Sequence, residues 1–263
     1  MRSSFNRSYL GCLMRLNLRA AFARPRAALA AAGFMCANNL IFFVTWVIYF
    51  RNFSSLKGWR IEDVALLVGV VVWAFGVAML FAGGLRTMAQ VIVDGGLDAH
   101  LGRPRHPLLS LLLSRSLPSG LGDIVSAFAF WLWLGGSGLG NLPLLLLVAT
   151  SAAVILGATI VIAQCLVFWQ PRAVRFCEQL YETFLMATYY PQHAYGLTAR
   201  LLLLTVFPAA LVGYLPVEAV REQSQLLAAA VVGAAALYAA LALAMFNLGL
   251  RRYTSGNRLA EPR

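Results

Sequence analysis

Val64-Ala65-Leu66-Leu67-Val68-Gly69-Val70-Val71-Val72-Trp73-Ala74-Phe75-Gly76-Val77-Ala78-Met79-Leu80-Phe81 runs for 18 residues without a charge or a side-chain amide. As a helix rising 1.5 Å per residue it covers about 27 Å, close to the roughly 30 Å of hydrocarbon in a bilayer. About six such apolar stretches recur along the chain. Between the second and third lies a segment of another kind, Val91-Ile92-Val93-Asp94-Gly95-Gly96-Leu97-Asp98-Ala99-His100-Leu101-Gly102-Arg103-Pro104. It is too polar and too Gly-rich to be buried in lipid. A small membrane protein that keeps a compact polar element between spans is expected to touch a soluble partner with it.

Composition agrees with the apolar runs. Of 263 residues, 60% are hydrophobic and 12% charged, about half the charged share of a soluble domain. The chain reads as one membrane domain, residues 1–263. Its start carries no early apolar core followed by a small-residue cleavage site, so no removable signal peptide is expected. The net charge of +11 invites a nucleic-acid reading, but the basic residues flank apolar spans and suit membrane topology instead. Cys12, Cys36, Cys165 and Cys177 show no paired spacing, which argues against disulfides and zinc and for small packing residues.

Residues 1–26 mix six arginines with Phe5, Tyr9, Leu10, Leu13, Met14, Leu16, Leu18 and Phe22. Such a helix should lie in the membrane interface, and Pro25 should then redirect the chain. The spans follow at about 27–50, 63–84, 120–139, 143–169, 173–191 and 225–250. With the N-terminus inside, 16 basic residues fall on one side and 5 on the other. Both termini and the 85–118 loop are therefore expected in the cytoplasm.

Two apolar stretches, 173–191 and 197–215, compete for the fifth crossing. Pro191 interrupts the first, and Pro208 and Pro216 break the second. We read the second, within 192–224, as a re-entrant or extracellular hairpin, a form tolerated where it is buried in protein. In the alternative, 173–191 is a cytoplasmic amphipathic helix and 197–215 the real span. The fold class expected is thus an all-α membrane protein with six transmembrane helices, an N-terminal interfacial helix and an external hairpin between spans 5 and 6.

Enzyme chemistry finds little support. No HExxH pair and no GxSxG elbow occurs, and His100, His106 and His193 are scattered over loops. The single lysine, Lys57, lies outside any Walker A loop, so this chain should not hydrolyse ATP through a P-loop. No catalytic residue and no metal ligand is assigned. Within the polar loop, Leu97 and Leu101 stand four apart and should share a helical face, with Asp94 and Asp98 near its start. Such an element suits docking into a groove on a cytoplasmic protein; it equally describes a solvated connector.

Glu178 and Glu182 lie on one face of span 5 with Arg175. Intramembrane carboxyls are costly unless they face protein, water or a countercharge. Glu182, roughly 13 Å into the span, fits either a translocation path or a buried contact between helices; Glu178 can pair with Arg175. Asp123 reads as a charge at the start of span 3. Gly69, Gly76, Gly83 and Gly84 can allow close helix packing around span 2.

The string Asp94-Gly-Gly-Leu97-Asp98-Ala-His-Leu101-Gly-Arg103-Pro104, followed by Tyr190-Pro191 with Tyr195 and by Pro208 and Pro216, resembles the six-span permeases of the ABC-2-type exporter superfamily. It is closest in form to a subgroup whose loop reads about I-x-x-G-x-L-D-x-x-L-x-R-P. The resemblance implies a permease that pairs with itself or with a similar permease, each half docking a separate ATPase subunit. ATP and Mg would then be held by that ATPase, with no cofactor in this chain. Asp94, Leu97, Asp98, Leu101, Arg103 and Pro104 would belong to the coupling element. Glu178, Glu182, Tyr189 and Tyr190 would be candidates for the translocation path, and Pro191, Pro208 and Pro216 would shape the external hairpin. The implied setting is a bacterial inner membrane, and the implied cargo is amphiphilic or hydrophobic.

Overall fold

The computed structural model describes residues 2–53, 55, 58–133, 138–189 and 208–254. The secondary structure described is helical throughout. Among the described residues four helices are long and apolar enough to cross a membrane: α2 (Pro25–Asn52), α3 (Ile61–Phe81), α8 (Leu142–Gln164, extended by a 3₁₀ turn to Phe168) and α12 (Gln225–Leu250). One further apolar helix, α7 (Ser119–Trp133), matches the expected third span but is shorter, and the amphipathic helix α9 (Val174–Thr188) lies within the expected fifth. At 1.5 Å per residue each covers roughly 22 Å. Tyr190, Pro191, Tyr195 and most of 197–215 lie outside the described residues.

Helix α3 is the hub. It packs between α7 and α8; α2 lies beyond α7, and α12 lies beyond α8. Small residues set these spacings. A Cβ on Gly76 would sit 2.7 Å from the Asp123 Cβ, and one on Gly120 would sit 2.6 Å from the Gly76 carbonyl oxygen. A Cβ on Gly122 would strike the Ala32 carbonyl of α2. Lipid offers helices no hydrophobic reason to associate, so such close approach, with its dispersion gain, carries much of the packing.

Asp123 departs from the sequence reading. It lies one turn into α7, is only 1% exposed, and accepts a 2.8 Å hydrogen bond from the Asn39 amide of α2. It is an interhelical polar contact rather than a helix-start charge. The reason is tertiary: the glycine-lined approach of α2 closes over the first turn of α7.

At one end of the bundle the N-termini of α3, α8 and α12 gather with the short helices α10 (Ala209–Val212) and α11 (Tyr214–Arg221). Arg221 bridges Asp63 and Glu218 at 3.0 Å each and lies over the Trp59 ring, which stacks on Tyr214. Asn141 caps α8 and also donates to the Gln223 side chain at 3.0 Å. Pro208 immediately precedes α10, and Pro216 is buried within α11. A Cβ on Gly213, between these helices, would lie 2.8 Å from the Thr188 carbonyl and 2.9 Å from Leu67. The pair is thus seated between the end of α9 and the second turn of α3.

Candidate functional site: the polar loop and the acidic face of α9

The opposite end of the bundle carries the polar loop. After α3 the chain makes a 3₁₀ turn over Gly83–Thr87, then forms α4 (Met88–Val93), α5 (Asp98–Leu101) and α6 (Pro107–Leu112). A Cβ on Gly84 would collide with the Leu111 carbonyl, so this glycine lets the outgoing and returning strands of the loop touch. Gly95, at φ +78, ends α4 in the left-handed region that favours glycine.

Three side chains distant in sequence fix this loop to the body. Gln164, 6% exposed at the end of α8, accepts from the Ala89 amide at 2.7 Å and donates to the Leu85 carbonyl. His106 caps α6 by accepting from the Leu108 amide through Nδ1, so its Nε2–H donates to Asn247 Oδ1 of α12 at 2.8 Å. Asn17 of the N-terminal helix α1 (Arg2–Ala21) donates to the Leu113 carbonyl at 2.6 Å. The inner face of α1 includes Tyr9, Leu13, Met14, Asn17 and Leu18, while Arg15, Leu16 and Arg19 point outward. That pattern is the one expected of a helix lying flat on a surface.

Inside the loop, Ser110 is fully buried. Its Oγ accepts from Arg103 Nη1 at 3.0 Å and lies 3.0 Å from His100 Nδ1. Burial, and then the Arg103 charge, hold the His100 pKa below its usual 6.5. Burial, and then the neighbouring Asp98, push the Tyr253 phenol up to about 12.

Leu97 and Leu101 do not form a shared exposed face. Leu97 is fully buried, whereas Leu101 is 43% exposed. Helix α5 has only four residues, and the turn at Gly95 rotates Leu97 into the core before it begins. Asp94, Asp98, Ala99, Leu101, Gly102 and Pro104 make up the outward surface. Arg103 is half-buried and serves the interior as much as the surface.

This arrangement, apolar helices with one rigidly held polar loop, is accompanied by a sequence match: a model of the ABC-2 family transporter proteins covers residues 36–257. The chain belongs to the ABC-2 transporter family. No curated protein and no solved structure matches it. Membrane subunits of the ABC-2 family are typically non-catalytic and generally pair with an ABC ATPase. This ABC-2 protein is accordingly a multi-pass membrane protein and a permease subunit. Among its described residues no group of three or more His, Cys, Asp or Glu side chains can hold a metal.

The acidic residues of α9 occupy a second place in the ABC-2 protein. Glu178 and Glu182 are exposed on the free face of α9 and border a cavity of about 270 Å³. Arg86, Gln90, Gln164 and Tyr181 also line it. No ion pair joins Glu178 to Arg175 among the described residues. The cavity therefore connects the acidic face of α9 to α4, the first helix of the loop. Tyr189 lies further along α9, its ring 4.9 Å from that of Phe42 on α2. The anchors Gln164, Asn247 and Asn17 escaped sequence reading. Gln164 and Asn247 each left one signal, as an amide near the end of an otherwise apolar run; Asn17 left none.

Proposed function

We propose that this ABC-2 protein is the permease of an ATP-driven exporter in a bacterial cytoplasmic membrane, moving amphiphilic or hydrophobic cargo outward. The reading rests above all on the outward surface at 94–104. It is polar, adjoins an apolar body, and is flanked by anchored segments: Leu85 and Ala89 bonded to Gln164 of α8, His106 to Asn247 of α12, and Leu113 to Asn17 of α1. A surface that merely connected two spans would need none of these anchors. A surface that transmits force needs all of them.

In this reading a separate ATPase subunit docks on Asp94, Asp98, Leu101 and Pro104, with Leu97 and Arg103 as interior supports. ATP and Mg bound to that subunit supply the free energy. Displacement of the loop passes through Gln164 to α8, through Asn247 to α12 and through Asn17 to the interfacial helix. For such motion to do work, the ATPase must contact the loop differently in two states. Both termini then lie in the cytoplasm, in accord with the 16-to-5 distribution of basic residues. Helices α10 and α11 belong to an external hairpin at 192–224. The exposed apolar stripe of α2, with Leu29, Phe34, Leu40 and Ile48, and the acidic face of α9 meet a second permease, identical or similar. Glu178, Glu182, Tyr189 and Tyr190 border the path between the two.

Purification of the tagged chain from its native membranes in mild detergent tests the proposal. An ATPase in about one-to-one ratio with total permease is the expected companion. Leu101→Asp should abolish its docking while leaving the chain in the membrane, because Leu101 is exposed and the change removes no described hydrogen bond. Asp98→Lys should uncouple ATP hydrolysis from transport. Recovery of the chain alone, with no ATPase crosslinked in intact membranes, would favour a membrane scaffold instead. Arg103→Glu is a poorer probe, since it also removes one of the two hydrogen bonds of the buried Ser110.

A further inference from the structure

A second cavity, of about 540 Å³, lies between α3, α6, α8 and α12, apart from the proposed docking surface at 94–104. Along α8 its wall runs through Thr150, Ala153, Gly157 and Val161, one helical stripe. From Thr150 to Val161 that stripe is roughly 16 Å long, about half the hydrocarbon thickness of a bilayer. The groove thus spans one leaflet, the one adjoining the polar loop.

Its concavity comes from small residues. Ala78 and Ala82 of α3, Gly157 and Ala158 of α8, and Ala242 of α12 face it. Gly157 is not confined by backbone: an added Cβ would meet only Leu85 Cδ1, at an ordinary 3.5 Å. Leu109, Val154 and Leu243, at its edges, are 40–43% exposed, so the groove opens sideways. At the loop end stands His106, preceded by Arg105 and bonded to Asn247. Arg251 follows one turn later on the Asn247 face of α12. None of the groove's lining residues is acidic.

We propose that this groove holds one acyl chain of an anionic phospholipid, its headgroup paired with Arg105 and Arg251. Alkyl walls over one leaflet suit a single fatty chain, and Arg105 and Arg251, next to His106 and one turn after Asn247 in the chain, suit a phosphate. Such a chain restores the dispersion contacts that an unfilled groove of this size would forfeit. The site requires neither the ATPase nor a direction of transport.

The experiment uses the purified full chain in nanodiscs of equimolar phosphatidylethanolamine and phosphatidylglycerol, read by native mass spectrometry. A phosphatidylglycerol carrying a photoactivatable acyl chain gives a parallel crosslink map. One retained phosphatidylglycerol per chain is expected, with crosslinks in 77–85, 150–161 and 239–243. Gly157→Leu should fill the groove and lower retention about tenfold or more. Arg105→Gln with Arg251→Gln should abolish the preference for phosphatidylglycerol over phosphatidylethanolamine. Crosslinks confined to other segments, retention unchanged in Gly157→Leu, or a non-phospholipid amphiphile in the groove would each overturn the proposal. If Gly157→Leu does not fold, the wild-type crosslink map decides alone.

Discussion

Replacing Gln164 with methionine should loosen the polar loop without unfolding the bundle. Methionine has similar length and flexibility, so packing between α8 and α4 is largely kept, but both hydrogen bonds are lost. The Ala89 amide and the Leu85 carbonyl lose their side-chain partner at a residue only 6% exposed. An orphaned buried group costs about 1–3 kcal/mol, which corresponds to roughly a five- to 150-fold change in a local opening equilibrium. Leu85, Met88 and Ile92 remain fully packed, so the opening should stay local. Hydrogen exchange followed by mass spectrometry reads this directly. Peptides covering 85–93 should exchange faster by about that factor, while peptides within 64–72 should not change. Transport per ATP hydrolysed should fall in parallel. Unchanged exchange at 85–93 would refute the clamp, and equal acceleration in 64–72 would show that Gln164 supports the whole fold instead.

Asn39→Leu should destabilise the chain by about 1–3 kcal/mol by leaving Asp123 without its described donor. Asn39→Leu with Asp123→Leu should recover most of that loss in a thermal unfolding assay, and simple additivity of the single changes would sink the contact. Gly84→Val should be destabilising by about 1–3 kcal/mol, since its Cβ meets the Leu111 carbonyl. Gly102→Ala, with nothing within 4 Å of the new Cβ, should be neutral; equal melting shifts for the two would contradict the packing described. The loop should also respond to pH. The folded pKa of His100 lies below 6.5, so at low pH the unfolded loop binds the extra proton more readily. The His100 contribution is therefore complete above pH 6.5 and is lost as pH falls below it. Exchange at 97–103, corrected for its intrinsic pH dependence, should rise on acidification in the wild type and not in His100→Gln.

Much of the architecture was legible because the bilayer imposes a local rule. A span must be apolar over one hydrocarbon thickness, and that property is carried by contiguous residues, as in 64–81. The long helices therefore appear close to where composition places them. Residues 27–50, 143–169 and 225–250 correspond to α2, α8 with its 3₁₀ extension, and α12. Pro25 was legible as a breaker for the same reason, redirecting the chain where α2 begins.

What the sequence by itself determined about this ABC-2 protein is where its long apolar helices run, the polar character of the 91–104 loop and the lack of a Walker A string. These depend on residue type and on neighbours in the chain. Only the tertiary structure decided which side chains face what. Leu97 and Leu101 are alike in sequence, yet one is core and the other surface, because a left-handed glycine turn precedes a helix of four residues. Asp123 looks like an opening charge until the approach of α2 at Gly122 buries it against Asn39. Gly84 and Gly102 are the same residue, but only Gly84 lies where two backbone segments touch. Gln164 and Asn247 become anchors of the loop only once α8 and α12 end beside it. Such contacts join residues 75 to 141 positions apart, and periodicity along a chain holds no information about which distant atoms will meet.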